Sequence, residues 1–497
     1  MRGFLSSSIG VTCAAALALP LALTPSGSAA VTRPAADPLP GSTRSLPLEP
    51  LGRDRAGGGG AAPPEQGLTR RAVQPFSLVG VVWDDPDVEL QGRVQVRTRA
   101  TGTTAWSPWQ EVETHNHEHA ADPGTAERDS GRVRGSTAPL WVGDSDGVEV
   151  RVRTDTGRAL PSYGAHALPV DKNVDLPTGL RLELVDPGED PAPPADAPAD
   201  GVLLSAESTE STESTESTES AESTESAESD TAAQGTPAEA VDAAGTSLMT
   251  AEAAAAAAVN ADLAPMGAAV IPALDKAATE AYLADTYGAD AARAKPYIGP
   301  RPRIVTRRGW GADESLRERD FAYTRTVKAA FMHHSATGNN YRCSQSPSVL
   351  RSIYRYHVKS SGWRDFGYNF AVDKCGNIYE GRAGGVAKAV LGAHTLGFNS
   401  DSMGIAVIGS FTTAIPPKAA VTAVAKLTAW KLGLFGADPR GKTYLKSGGG
   451  NLYKKGSTVK LNVISGHRDG FRTECPGRRL YKKLGTARSA SARYQGR

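Results

Sequence analysis

A mixed α/β domain with a central β-sheet flanked by helices, preceded by an all-β sandwich-like domain and disordered linkers, is the architecture this sequence predicts. Three observations lead to it. The 497 residues are too many for one core. Short runs punctuated by Gly, Pro and Asp fill 76–188, while strand-like and helix-like apolar patterns mix from Ile304 onward. Between them, 205–230 repeats Ser-Thr-Glu and Ser-Ala-Glu, which buries no apolar surface and repels itself.

The elements follow in chain order. Arg2, the apolar run Ile9 to Leu23 and the small residues Ser28-Ala29-Ala30 read as a signal peptide over 1–30, so the chain is expected to be secreted. Residues 31–75, rich in Pro, Gly and Ala, read as linker. In 76–188 the strand candidates are Ser77 to Trp83, Val88 to Arg99, Thr104 to Val112, Leu140 to Val142 and Val148 to Val152. Val94 and Val96 alternate with Arg93, Gln95 and Arg97, as a half-buried strand requires. Trp83, Trp106, Trp109 and Trp141 read as core filling in preference to a sugar-stacking platform. His115, His117 and His119 read as solvated loop histidines in preference to a metal site. Residues 189–298 form an acidic, Ala-rich linker; Ala251 to Asp262 within it suits a transient helix but has no apolar face.

The last unit, 299–490, opens with a short apolar strand at Ala329 to His334. Ser346 suits a helix cap with Pro347 at the first position, ahead of Val349, Leu350, Ile353, Tyr354 and His357 at helical spacing. Tyr368 to Asp373 and Asn377 to Glu380 suit a hairpin. Gly404 to Phe411 reads as a buried strand, Ala419 to Leu434 as an amphipathic helix, and Val463 to Gly466 as the approach to a final motif.

Charge divides the chain. Residues 300–497 carry 34 Lys/Arg against 11 Asp/Glu, whereas the preceding residues carry 21 against 43. A basic domain suits an anionic partner, and export disfavours nucleic acid. After the leader no stretch approaches the roughly 20 apolar residues of a membrane span. Loss of Cys13 with the leader leaves Cys343, Cys375 and Cys475, an odd number for an oxidising compartment.

Candidate metal ligands sit in three segments: Phe331-Met332-His333-His334-Ser335, Gly466-His467-Arg468-Asp469 and Thr473-Glu474-Cys475-Pro476-Gly477. Imidazole and thiolate are ligands zinc prefers, and three protein ligands leave its fourth position open. With Cys475 as a zinc thiolate, Cys343 and Cys375 are free to pair with each other. Spacing alone also permits two packed strand histidines and an unrelated buried thiol.

The segments RRGWGADES, FMHHSATG, GYNFAVDKCGNIYEGR, GAHTLGFNSDSMGIAVIG and ISGHRDGFRTECPG resemble the peptidoglycan recognition proteins and their relatives, the type 2 zinc N-acetylmuramoyl-L-alanine amidases, over about 301–480. Long spacers and an N-terminal β domain resemble the secreted actinobacterial members. The resemblance implies Zn2+ held by His333, His467 and Cys475, with His334 facing the opposite environment. It implies that Tyr368 positions the attacking water and that Thr473 steadies water or oxyanion. It also implies that Gly362, Trp363 and Arg382 favour diaminopimelate-type stems, and that His394 and Asn399 line the groove. The extra carboxylate of such stems offers Arg382 a charge-assisted, two-pronged bond.

The implied reaction is hydrolysis of the amide between the lactyl group of muramic acid and L-alanine, with peptidoglycan and anionic wall polymers as partners. Two other classes compete. One is a peptidoglycan-binding protein without turnover, disfavoured by retention of Cys475. The other is a zinc peptidase, disfavoured because no His-Glu-x-x-His pattern occurs. Glu474 and Asp469 read as solvated or structural groups, not as a general base.

Overall fold

The computed structural model describes residues 40–51, 65–114, 116–154, 175–190, 249–293, 295 and 297–497. The expected signal peptide, Cys13, His115 and the Ser-Thr-Glu repeat lie outside them. Pro38–Arg497 forms one compact unit.

The N-terminal β domain is a single antiparallel sheet. Its principal strands are β1 (Pro40–Pro47), β2 (Glu65–Trp83), β3 (Gly92–Ala100), β4 (Gln110–Val112), β5 (Leu140–Thr154) and β6 (Arg181–Gly188), in spatial order β1-β6-β2-β5-β3-β4. Register shifts between Leu68/Arg71 and Ala72/Phe76 break the long β2–β5 pairing. Such bulges bend a strand, so both halves of the sheet face one core. Leu68, Val150 and Val152 from one half join Val79, Val81, Leu182 and Leu184 from the other.

The expectation of a linker over 31–75 fails within this domain. β1 and the first half of β2 are strands despite their Pro and Gly content. β1 is an edge strand with Pro40 and Pro47 at its ends, where a missing N–H costs least. Val94 and Val96 are buried as the alternation requires. Thr104 to Val112 shortens to β4, and Val88 is exposed. Trp83 and Trp141 are buried, whereas Trp106 and Trp109 stand on the outer face beneath Arg70, Arg97 and Arg151.

The C-terminal domain is a seven-stranded mixed sheet. Its strands are β7 (Val270–Ile271), β8 (Ile304–Val305), β9 (Ala329–His334), β10 (Phe370–Val372), β11 (Ile378–Glu380), β12 (Ser402–Val407) and, after a separate two-stranded ribbon (Lys442–Lys446 and Thr458–Asn462), β13 (Ile464–Gly466). The order is β13-β9-β12-β10-β11-β8-β7, with β9 parallel to both β12 and β13. Helices α1 (Ala251–Ala258), α2 (Lys276–Tyr287), α3 (Ser346–Arg355), α4 (Lys418–Gly433) and α5 (Leu484–Gln495) complete the described core.

Side-chain alternation assigns the two faces of this sheet. Ala330 and Met332 of β9, with Ile405 and Val407 of β12, pack on Val424 and Leu427 of α4. Ala406, Ala371 and Tyr379 pack on Val349, Leu350 and Ile353 of α3, in a core that also takes in Leu78, Val82, Trp141 and Val185 of the β domain. Each fully buried Val or Leu is worth about 1.5–3 kcal/mol, so this shared core joins the domains firmly. Tyr356 sits at the seam and donates to the Thr137 carbonyl at 3.0 Å.

Two local expectations need correction. Ser346 is the first residue of α3, not its cap, and its hydroxyl donates to Asp373 at 2.9 Å. The Ala-rich stretch forms a docked helix without an apolar stripe: Asn260, just after α1, donates to Glu380 at 2.8 Å and accepts from the Val386 amide at 2.9 Å. Polar bonds fix it where periodicity offers no signal.

A candidate metal centre closed by a distant histidine

β9 carries His333 on the face that Phe331 also occupies, because alternate residues share a face. β13 runs parallel to β9 and ends at Gly466, which places His467 level with the tip of β9. The turn after His467 is fixed by the Gly466 amide donating to Asp469 at 2.9 Å, and Asp469 also accepts from Tyr481 at 2.5 Å. Asp469 is therefore a structural group. The chain then returns to set Cys475 beside β9, its amide donating to the Thr473 hydroxyl at 3.0 Å. Cys475 Sγ lies 3.7 Å from His333 Nδ1.

A fourth candidate ligand, a third imidazole, enters from the other domain. His119 Nε2 lies 3.2 Å from His467 Nδ1, and ligand atoms of His119, His333, His467 and Cys475 all fall within 4.8 Å of one another. A tetrahedral zinc with usual bond lengths has nitrogen–nitrogen edges of about 3.3 Å and nitrogen–sulfur edges of about 3.5 Å. The two short separations match such edges. The donor set therefore fits zinc. The far nitrogen of His333, Nε2, lies 3.4 Å from Thr395 Oγ1, the kind of outer contact that orients a ligating imidazole.

Electrostatics agree with a cation site. Burial, then the neighbouring His467 and His119, hold His333 well below the usual imidazole range. Burial, then His119, does the same to His467, and burial, then His334, to His119. The rings are thus neutral, the form that binds metal. Burial pushes the Cys475 thiol up, so a thiolate here needs a cation beside it. Burial, then Cys475 and Glu118, raises Tyr368, which keeps its hydroxyl proton; its ring lies 5.2 Å from that of His333. His334 faces away, its Nδ1 accepting from the Phe411 amide at 3.4 Å.

Comparison with known proteins places the fold. A family model described as N-acetylmuramoyl-L-alanine amidase matches residues 323–478, and one described as Rv3811 N-terminal galactose-binding domain-like matches 29–177. Peptidoglycan-recognition protein SC2 of Drosophila simulans is 30% identical over 185 residues, 37% of this chain and 85% of the relative. Peptidoglycan-recognition protein 1 of Holotrichia diomphalia is 33% identical over 210 residues, 41% of this chain and 89% of the relative. The chain belongs to the peptidoglycan recognition protein and amidase family. The human N-acetylmuramoyl-L-alanine amidase is 32% identical over 193 residues, covering 37% of this chain and 28% of that protein. The solved structure titled Drosophila PGRP-LB wild-type is 28% identical, covering 37% of this chain and 92% of that one, with a TM-score of 0.30.

In this member of the family, every residue that the resemblance assigned to substrate contact or water positioning is buried or engaged. Arg382 makes a two-pronged pair with Glu127, at 2.8 and 2.9 Å. Asn399 donates to the Ala120 carbonyl at 2.8 Å and to Asp122 at 2.6 Å. Thr473 donates to Glu118 at 2.6 Å. His394 is fully buried, with Nδ1 3.0 Å from Thr395 Oγ1. Trp363 stacks on His357 at 4.4 Å, and Gly362, at φ +75°, has no room for a Cβ beside the Arg132 carbonyl. A disulfide joins Cys343 to Cys375 beside the start of α3.

The expectation of solvated histidines is overturned for His119, which is 5% exposed. His117 is mostly buried too, bonded to Glu89 at 2.8 Å. The residues missed are thus His119 and the acidic side chains around it. Their partners lie hundreds of positions away, and local pattern carries no trace of them.

Proposed function

We propose that this chain is a secreted, zinc-dependent N-acetylmuramoyl-L-alanine amidase acting on diaminopimelate-type peptidoglycan. The convergence of His333, His467 and Cys475 on one buried point carries the reading. Zinc held there supplies Lewis-acid polarisation of the scissile carbonyl and a lowered pKa for water. Hydrolysis forms a C–O bond at the lactyl carbonyl carbon and breaks the C–N bond, and the nitrogen leaves as the amine of L-alanine with a proton from water.

The chain's own groups supply the rest. Tyr368, held as a protonated hydroxyl beside His333, orients the attacking water. Thr473 is placed by its bond to the Cys475 amide and donates to the developing oxyanion. Arg382 has its Nε fixed on the Phe366 carbonyl at 2.7 Å, leaving the far edge of the guanidinium for a carboxylate. That it holds a carboxylate in this structure supports the choice of a stem with an extra one. The positive excess over 300–497 suits retention on an anionic wall and predicts binding that weakens with salt.

A second reading, wall binding without turnover, draws on one observation: the proposed groove residues already have partners. Mass analysis of fragments from purified wall separates the two. Free stem peptides beginning at L-alanine support the amidase, shortened stems indicate a peptidase, and wall left intact by both the parent and His119→Ala, which frees the fourth ligand position, indicates a binder. In Cys475→Ser, zinc retained after dialysis is expected to fall to background, with turnover lost and wall binding kept. Undiminished turnover in that variant refutes the ligand set.

A further inference from the structure

Segment 116–134 lies between β4 of the β domain and the short strand Gly135–Ser136 of the same sheet. Between those points it lies across the C-terminal domain. Glu118, His119, Asp122 and Glu127 are all under 9% exposed. Burying three carboxylates in a domain contact is costly unless each is partnered. Each carboxylate has at least one partner: Glu118 Oε1 has Thr473, Asp122 has Asn399 and the Gly397 amide at 2.7 Å, and Glu127 has Arg382 and the Arg364 amide at 3.2 Å, while Glu118 Oε2 is buried without a hydrogen bond, 3.4 Å from His117 Nδ1. Backbone joins in, with the Glu118 carbonyl accepting from Leu396 at 2.9 Å and the Ala120 carbonyl from Asn399.

These partners are the groups proposed above to read substrate. What the segment offers them is chemically what a stem peptide offers: carboxylates and amide carbonyls. Its buried hydrophobic side chains are Ala120, Ala121 and Val133, a small apolar contact beside its polar one. At its centre His119 takes the place that a three-ligand site leaves to solvent, and four protein ligands are the mark of a closed, non-catalytic zinc site.

We infer that segment 116–134 is a built-in occupant of the groove, with His119 as a fourth metal ligand and Glu118, Asp122 and Glu127 in place of substrate oxygens. The chain is latent while the segment is docked. This rests on the metal reading above. Occupancy lowers apparent affinity by the fraction of open molecules: a segment docked 90–99% of the time suppresses ligand binding about 10–100-fold.

The test uses the full chain loaded with Co2+ in place of zinc, comparing the parent with His119→Ala and with the bulkier His119→Gln. The visible spectrum reports coordination without reference to turnover. The parent spectrum is expected to ignore added azide, while both variants show an azide-dependent shift and bind a soluble diaminopimelate muropeptide about 10–100-fold more tightly. An equal azide response in the parent overturns the inference and leaves the three-ligand site standing. Absence of a thiolate-to-cobalt charge-transfer band in all three proteins sinks the metal reading itself, and the inference with it.

Discussion

Replacing Glu127 by Ala removes both acceptors of a buried, two-pronged pair in which the Arg382 and Glu127 side chains are 4% and 6% exposed. Stripping one partner from such a pair costs about 3–5 kcal/mol, because the other charge stays buried and unpaired. Arg382 can escape that cost if segment 116–134 lifts and water reaches the guanidinium. The loss should therefore appear as undocking and not as global unfolding, shifting the docking equilibrium by about two to four powers of ten. The Leu396 and Gly397 amides are the reporters, since each is bonded only across the contact, to the Glu118 carbonyl and the Asp122 carboxylate. Hydrogen exchange followed by mass spectrometry should show both amides losing protection in Glu127→Ala, while strand β12 stays protected. Unchanged exchange at 396–397, or equal loss throughout the C-terminal domain, refutes the reasoning.

Acidity should tune the same contact. Burial raises the Asp122 carboxyl to about 6, against the bonds it accepts from Gly397 and Asn399. The docked state thus holds the proton more tightly, so docking is strongest below about pH 4 and weakens as the pH rises through 6, by about 3 kcal/mol. Protection of the Gly397 amide, corrected for intrinsic rate, should fall over that interval in the parent and stay level in Asp122→Asn; a level parent profile refutes the assignment. Replacing Cys343 and Cys375 together by Ser opens a bridge between residues 32 apart, which should cost about 3–4 kcal/mol in urea unfolding. A loss below 1 kcal/mol would mean that α3 and the β10–β11 hairpin hold each other without it.

Much of the site was legible because its evidence is local. His333 lies in an apolar run that reads as a strand, and His467 and Cys475 lie in a short segment with a recognisable signature. Strand alternation correctly sent His334 away from His333. The β domain was legible where alternation is strict, at Val94 and Val96, and illegible where Pro and Gly occupy an edge, as in β1. His119 was noticed and read as solvated. Its ring contacts a residue 348 positions away, and nothing in a His-x-His-x-His run tells a solvent loop from one inserted into another domain. The Ala-rich α1 failed for a related reason: Asn260 holds it through Glu380, 120 positions on, without an apolar stripe.

The seam around Tyr356 bears on how this protein is handled. Gly80 abuts the Tyr356 ring, and Leu78, Val82, Trp141 and Val185 complete a core whose other wall is α3. A fragment cut to the C-terminal domain alone would bare Val349, Leu350, Ile353 and Tyr356 to solvent, a contiguous greasy patch of the kind that drives self-association. Excision would thus trade one coverlet for another, and measurements on such a piece would describe an aggregate-prone species instead of the native chain.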